Sequence, residues 1–168
     1  MSQAKRALFQ LPQGTESFYL EEALKHKRYT AELENCFQLW AYLPVQTPVF
    51  DFFDAYAPLL RNRDLQKIYR LIDREGDLLM LRSDITLFLA KQMGTMLTEE
   101  DLPTRVYYAD SILRHQEIED ISKNEFFQAG AELIGKDGIE ADIEILALLA
   151  DVLSITELPE YRIHLGSK

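Results

Sequence analysis

Apolar residues recur along the chain with two different periods, and the places where the period changes divide it into elements. Leu20, Ala23, Leu24, Leu33, Cys36, Phe37, Leu39 and Trp40 fall at roughly helical spacing with Lys and Glu between them. The pattern predicts a helix from Glu16 to about Leu43, capped by Thr15 after "LPQGT" and stopped by Pro44. "VQTPVF" reads as a short extended segment, and Pro48 places it at an edge or an interface. "DFFDAYAPLL" reads as a short helix. In "KIYRLIDREGDLLMLR" two apolar runs flank Asp73 to Asp77, where Gly76 can supply a positive φ, and this predicts a β-hairpin. "SDITLFLAKQMGTML" returns to the helical period, with Ser83 or Asp84 as cap and Ile85, Phe88, Leu89, Gln92 and Met93 following. "TEEDLP" is a loop. "TRVYYADSILR" and "EFFQAGAELIG" read as two strands joined by the polar stretch His115 to Asn124. A helix follows from about Ile139 to Leu153, and "YRIHLG" begins another strand. The predicted class is α+β, a mainly antiparallel sheet covered by helices, with no internal repeat.

Composition narrows the function more than the fold. A chain of 168 residues, 47% hydrophobic, is enough for one domain with a core. Its formal charge of −10, from 28 acidic and 18 basic residues, argues against a general phosphate grip on nucleic acid. The densest basic group, Arg61, Arg63, Lys67 and Arg70, is interleaved with Asp64 and Asp73 and reads as a solvated face. Cys36 is the single cysteine, so no internal disulfide forms, which fits a reducing cytosol; its helical spacing puts it on a buried side. His26, His115 and His164 include no i,i+4 pair, and no metal site is expected. No apolar h-region follows Lys5 and Arg6, and no apolar run reaches a membrane span, so the expectation is a soluble cytoplasmic protein. The last predicted strand stops at Gly166, as a domain cut in its middle would, either as a fragment or as a short form whose core a partner completes.

The candidate chemistry lies on the two long strands. Alternation puts Gln128, Gly130 and Glu132 on one face, a carboxylate, an amide and a bare glycine with room above them. Arg114 ends the preceding strand and can turn its guanidinium onto the same face, toward a carboxylate or phosphate. The same residues also fit a solvent-exposed sheet face with a cross-strand Arg–Glu pair. Arg82, Asp84 and Thr86 in "LRSDIT" form a second polar cluster where a strand meets a helix, although an Asp there also serves as a plain helix cap. Tyr107 and Tyr108 face opposite sides of their strand, one toward the core and one available to line a pocket mouth.

The order of these segments resembles a known family. "LPQGT", "YLPVQTPVFD", "LRSDITLFLAKQ", "PTRVYYADSILRHQE", "NEFFQAGAELIG" and "EADIEIL" run in the order found in the catalytic core of histidyl-tRNA synthetases, which belong to class II. They resemble more closely the synthetase-like regulatory subunits of ATP phosphoribosyltransferase. The resemblance implies a class II antiparallel sheet flanked by helices, of which this chain would be the N-terminal part, truncated at its C-terminal side and lacking an anticodon-binding domain. It implies that Arg114 matches the motif 2 arginine, that Gln128 and Glu132 help to recognise histidine, and that Asp84 and Thr86 hold its α-amino group. It also implies a dimer through motif 1, with Tyr42, Val45, Pro48, Phe50 and Phe53 at the interface.

Departures from the family pattern bear on activity. Ser122 falls where the synthetases carry a further arginine for ATP, and Gln116 where they carry a glutamate, which Glu117 replaces only after a register shift. Adenylate formation needs cations aimed at the transferring phosphates, and a serine supplies none. The resemblance therefore implies no catalytic residues, no cofactor and no nucleic-acid or membrane partner. It points to a regulatory subunit that activates a short-form ATP phosphoribosyltransferase catalytic subunit and takes L-histidine as feedback ligand. A truncated histidyl-tRNA synthetase and a synthetase-like interaction module without ligand are the alternatives.

Overall fold

The computed structural model describes residues 10–115, 123–156 and 158–166. Helix α1 (Leu20–Leu39) starts later than the pattern predicts. The Thr15 hydroxyl is used in a turn, donating to the Pro12 carbonyl at 2.8 Å, so the helix opens after Tyr19 without a side-chain cap. Glu21 and Glu22 then lie in the first turn, where the helix dipole favours them. The helix also ends before Pro44. Ala41 enters the left-handed region (φ 63°), its amide donates to Gln38 O and the Tyr42 amide to Phe37 O, which together close the last turn as a Schellman motif.

Strands β1 (Leu43–Pro44) and β2 (Phe50–Phe52) divide the extended segment on either side of Pro48. Two 3-10 turns (Phe53–Ala55 and Ala57–Leu59) and a one-turn helix α2 (Asn62–Leu65) replace the single short helix expected there. β3 (Arg70–Ile72) and β4 (Leu78–Leu81) form the predicted hairpin. Asp73 Oδ1 accepts from the Glu75 and Asp77 amides in its turn, and Gly76 takes φ 96°. Helix α3 (Ile85–Met96) is capped by Asp84, whose Oδ1 accepts from the Leu87 amide at 3.2 Å. A 3-10 turn (Glu99–Asp101) forms within the expected loop. β5 (Thr104–Leu113) and β6 (Glu125–Ile134) pair antiparallel over their full length, and helix α4 (Ile139–Ile155) follows.

These strands make two three-stranded sheets, ordered β1-β5-β6 and β2-β4-β3, instead of one sheet. Every pairing is antiparallel except β1 with β5. The "VQTPVF" region supplies an edge strand to the second sheet, as its proline requires. Residues 161–166, expected as a strand, form none: a strand needs a ladder partner, and no described strand pairs with them.

The β5–β6 hairpin separates two packing layers. On one face Tyr107 joins Cys36, Phe37, Tyr42 and Leu148 of the α1–α4 layer. On the other, Val106, Tyr108 and Ile112 pack on Ile85 and Leu89 of α3. The opposite side of α3 presents Phe88 to Tyr56, Ile68 and Met80. Helix α3 is thus held between the two sheets, and its N-terminus is fixed over the hairpin.

Candidate functional site

The residues singled out on the strands face α3, and the helix covers them. Asp110 pairs with Gln128, Tyr108 with Gly130 and Val106 with Glu132 across the hairpin. Directly opposed residues share a face. Thr86, in the first turn of α3, donates to Glu132 Oε1 at 2.9 Å and lies 2.9 Å from the Tyr108 hydroxyl. Gln128 Oε1 accepts from the Ile85 amide at 3.2 Å, satisfying one of the orphan donors of the helix start. Asp84, Thr86, Gln128 and Glu132 are therefore brought together.

The open volume above Gly130 is already filled. A Cβ at Gly130 would overlap the Tyr108 hydroxyl, so the glycine makes room for a phenol of the same chain. Both tyrosines are buried, Tyr107 against Phe37 and Tyr108 under α3. Burial is the main cause that pushes the Tyr108 phenol above its ordinary pKa.

Arg114 lies on the same side but farther along. Its guanidinium stacks on Phe126, 5.1 Å from the ring centroid, and lines a cavity of about 270 Å³ with Asp64, Lys67, Ser83, Asp84 and Leu87. Thr86 and Glu132 instead line a cleft of about 480 Å³ walled by Leu89, Met93, Leu102 and Ile134. Four of the five candidates thus open into two spaces, Asp84 and Arg114 into one and Thr86 and Glu132 into the other, and Gln128 lines neither.

Arg82 was grouped with Asp84 and Thr86 by sequence, but its side chain turns inward and is 1% exposed. It donates to Thr47 O at 2.8 Å and Ser111 O at 2.7 Å, and it pairs with Asp110 at 2.8 Å. That buried fork ties the segment between β1 and β2 to β5. Arg61, Arg63, Lys67 and Arg70 are exposed, as a solvated group is.

The residues expected at a dimer interface divide in the same way. Tyr42 is 1% exposed and donates to Glu144, so it belongs to the chain's own interior, while Val45 and Phe53 are half-buried, packed in the α3 layer and beside Tyr56. Pro48 and Phe50 are exposed. Phe50, Phe52 and Leu71 share the outer face of the second sheet, opposite Leu81 and Leu79. Sequence reasoning missed Phe52 because "DFFDAYAPLL" reads as a helix, and Leu71 because sheet register, not spacing in the chain, aligns it with Phe52.

Cys36 is buried as expected, and burial with the nearby Asp151 charge raises its thiol pKa, which disfavours the thiolate. Among the described residues no three His, Cys, Asp or Glu side chains come together to hold a metal. No described helix is long and apolar enough to cross a membrane. Gln116, Glu117 and Ser122 lie outside the described residues.

Residues 14–168 match the family model described as histidyl-tRNA synthetase. The chain belongs to that family. Among curated relatives, proteins of Symbiobacterium thermophilum and Moorella thermoacetica are 36% and 35% identical to it over 94% of this chain. Both are named ATP phosphoribosyltransferase regulatory subunit, and the match takes in 40% of each. This histidyl-tRNA synthetase family member thus spans about two fifths of their length. A solved ATP phosphoribosyltransferase regulatory subunit/histidyl-tRNA synthetase from Bacillus halodurans superposes with a TM-score of 0.79 at 27% identity, over 91% of this chain and 39% of that one. The histidyl-tRNA synthetase of S. aureus shares the fold, with a TM-score of 0.75 at 22% identity over 90% of this chain and 35% of its own. The class II synthetase-like fold read from the motifs is borne out, and so is the resemblance to the regulatory subunits.

Proposed function

We propose that the chain acts as, or within, a non-catalytic regulatory subunit of ATP phosphoribosyltransferase, activating the first step of histidine biosynthesis and conveying feedback by histidine. The observation that carries this reading is the 35–36% identity, along 94% of the chain, to relatives bearing that name. Of the site residues, Asp84, Thr86, Gln128 and Glu132, gathered at the start of α3, are the grouping that favours this reading. In this reading Arg114 meets the carboxylate of L-histidine, Asp84 and Thr86 its ammonium, and Gln128 and Glu132 recognise the rest of the ligand. Feedback then requires that histidine prefer one assembly state over another, since a ligand shifts an equilibrium only by its differential affinity.

The partner is a short-form catalytic subunit, and the chain also pairs with itself. The surface for self-association is the outer face of the second sheet, with Pro48, Phe50, Phe52 and Leu71 in place of Tyr42, Val45 and Phe53. Exposed aromatics contiguous on one sheet face are the usual mark of such a contact.

The test is the rate of ATP phosphoribosylation by a short-form catalytic subunit, with and without this chain and then with added histidine. The expected result is a rise in rate that histidine reverses. An unchanged rate, with charging of tRNA by the same preparation, would instead favour the truncated-synthetase reading.

A further inference from the structure

Tyr108, 5% exposed, places its hydroxyl where Thr86 is its hydrogen-bond partner. The Thr86 hydroxyl carries one proton, and an ionised carboxylate such as Glu132 can only accept. Because Thr86 Oγ1 donates to Glu132 Oε1, its proton is committed there, and the Tyr108 hydroxyl must be the donor in the 2.9 Å contact with Thr86. The chain of bonds runs in one direction, from Tyr108 through Thr86 to Glu132.

We propose that Tyr108 is a positioning residue for ligand recognition: it locks the Thr86 hydroxyl toward Glu132, so that this end of the cleft accepts hydrogen bonds and selects a cationic or N–H-donating group. Without the phenol, the Thr86 hydroxyl can rotate and offer its proton to a ligand acceptor, which erases that selection. Gly130 is part of the same device. It stands opposite Tyr108 in the hairpin, and any Cβ there would displace the phenol. The cleft beside the relay has apolar walls, Leu89, Met93, Leu102 and Ile134.

The identity of the ligand rests on the histidine reading above; the direction of the relay does not. The experiment therefore has two readouts on the full chain, wild type and Tyr108→Phe, which keeps the buried ring. The three-bond coupling between the Thr86 hydroxyl proton and its β-proton reports the direction of the hydroxyl without ligand. Calorimetric titration reports L-histidine. The expected result is a single Thr86 hydroxyl orientation in the wild type, averaging in Tyr108→Phe, and histidine affinity reduced about fivefold, the size of one hydrogen bond. In a Thr86→Val background, Tyr108→Phe should change affinity no further, because the phenol acts through Thr86. An unchanged coupling in Tyr108→Phe overturns the relay, and an additive loss in the Thr86→Val background overturns its action through Thr86. If the wild type takes up no histidine, the ligand reading fails, and the coupling alone decides the relay.

Discussion

Two carboxylates face each other through the β5–β6 hairpin, and they are partnered in opposite ways. Glu144, on α4, receives a two-pronged grip from Arg105 at 2.6 and 2.7 Å and a third bond from the Tyr42 hydroxyl at 3.0 Å. The Arg105 guanidinium holds its carboxyl down at about 2, and burial followed by the Glu144 hydrogen bond pushes the Tyr42 phenol up to about 12. Asp51 is closed in the same manner: burial raises its carboxyl, but bonds from Lys91 and Tyr56 outweigh that and leave it below its ordinary value. Glu132, on the other face, has a neutral threonine hydroxyl and no cation among the described residues. A carboxylate closed by a cation holds elements together. One left with acceptor capacity at the mouth of a cleft is the one to which the proposal assigns a ligand.

The comparison breaks most visibly at the closed side. Arg82→Met should destabilise the chain by about 3 kcal/mol, because it strips the donors from the Thr47 and Ser111 carbonyls along with the Asp110 pair. Denaturant unfolding measures it, and a loss under about 1 kcal/mol would show that water replaces the guanidinium.

Glu144→Gln comes next, at about 1–2 kcal/mol. Its pH dependence has a definite sign. The folded pKa lies below the ordinary 4.5, so the carboxylate's contribution is fully present above about pH 4.5 and is lost as pH falls toward 2. Wild type should lose stability across that window more steeply than Glu144→Gln, and parallel curves would sink the assignment.

Ala41→Gly is a smaller change in the same layer. Relieving a left-handed alanine at the end of α1 should stabilise the protein by about 1 kcal/mol, read as a higher melting temperature. The smallest stability effect belongs to the open side. Glu132→Gln should move the unfolding free energy by less than about 0.5 kcal/mol, since it trades one modest hydrogen bond to Thr86 for another.

Local chemistry made much of this legible from the chain. The Asp73–Asp77 turn, the Asp84 cap and the two long strands each rest on residues within a few positions of one another, and all three formed where the pattern put them. The alternation that put Gln128 and Glu132 on one face also held. The remainder depends on contacts distant in sequence. Thr15 reads as a cap until the turn to Pro12 claims its hydroxyl. Arg82 reads as part of a polar cluster until carbonyls of Thr47 and Ser111 give it an interior partner set. Gly130 reads as open space until the hairpin register brings Tyr108 opposite. The strand expected at 161–166 has the right alternation but no pairing strand among the described residues, and alternation alone cannot supply one.

The most direct test of the open-versus-closed distinction is a calorimetric titration of L-histidine into wild type, Glu132→Gln and Glu144→Gln, with the catalytic subunit present. Saturable binding by wild type and Glu144→Gln, weakened at least about tenfold in Glu132→Gln while its fold stays intact, is the predicted result. Equal affinity in all three, or no binding by wild type, would contradict it.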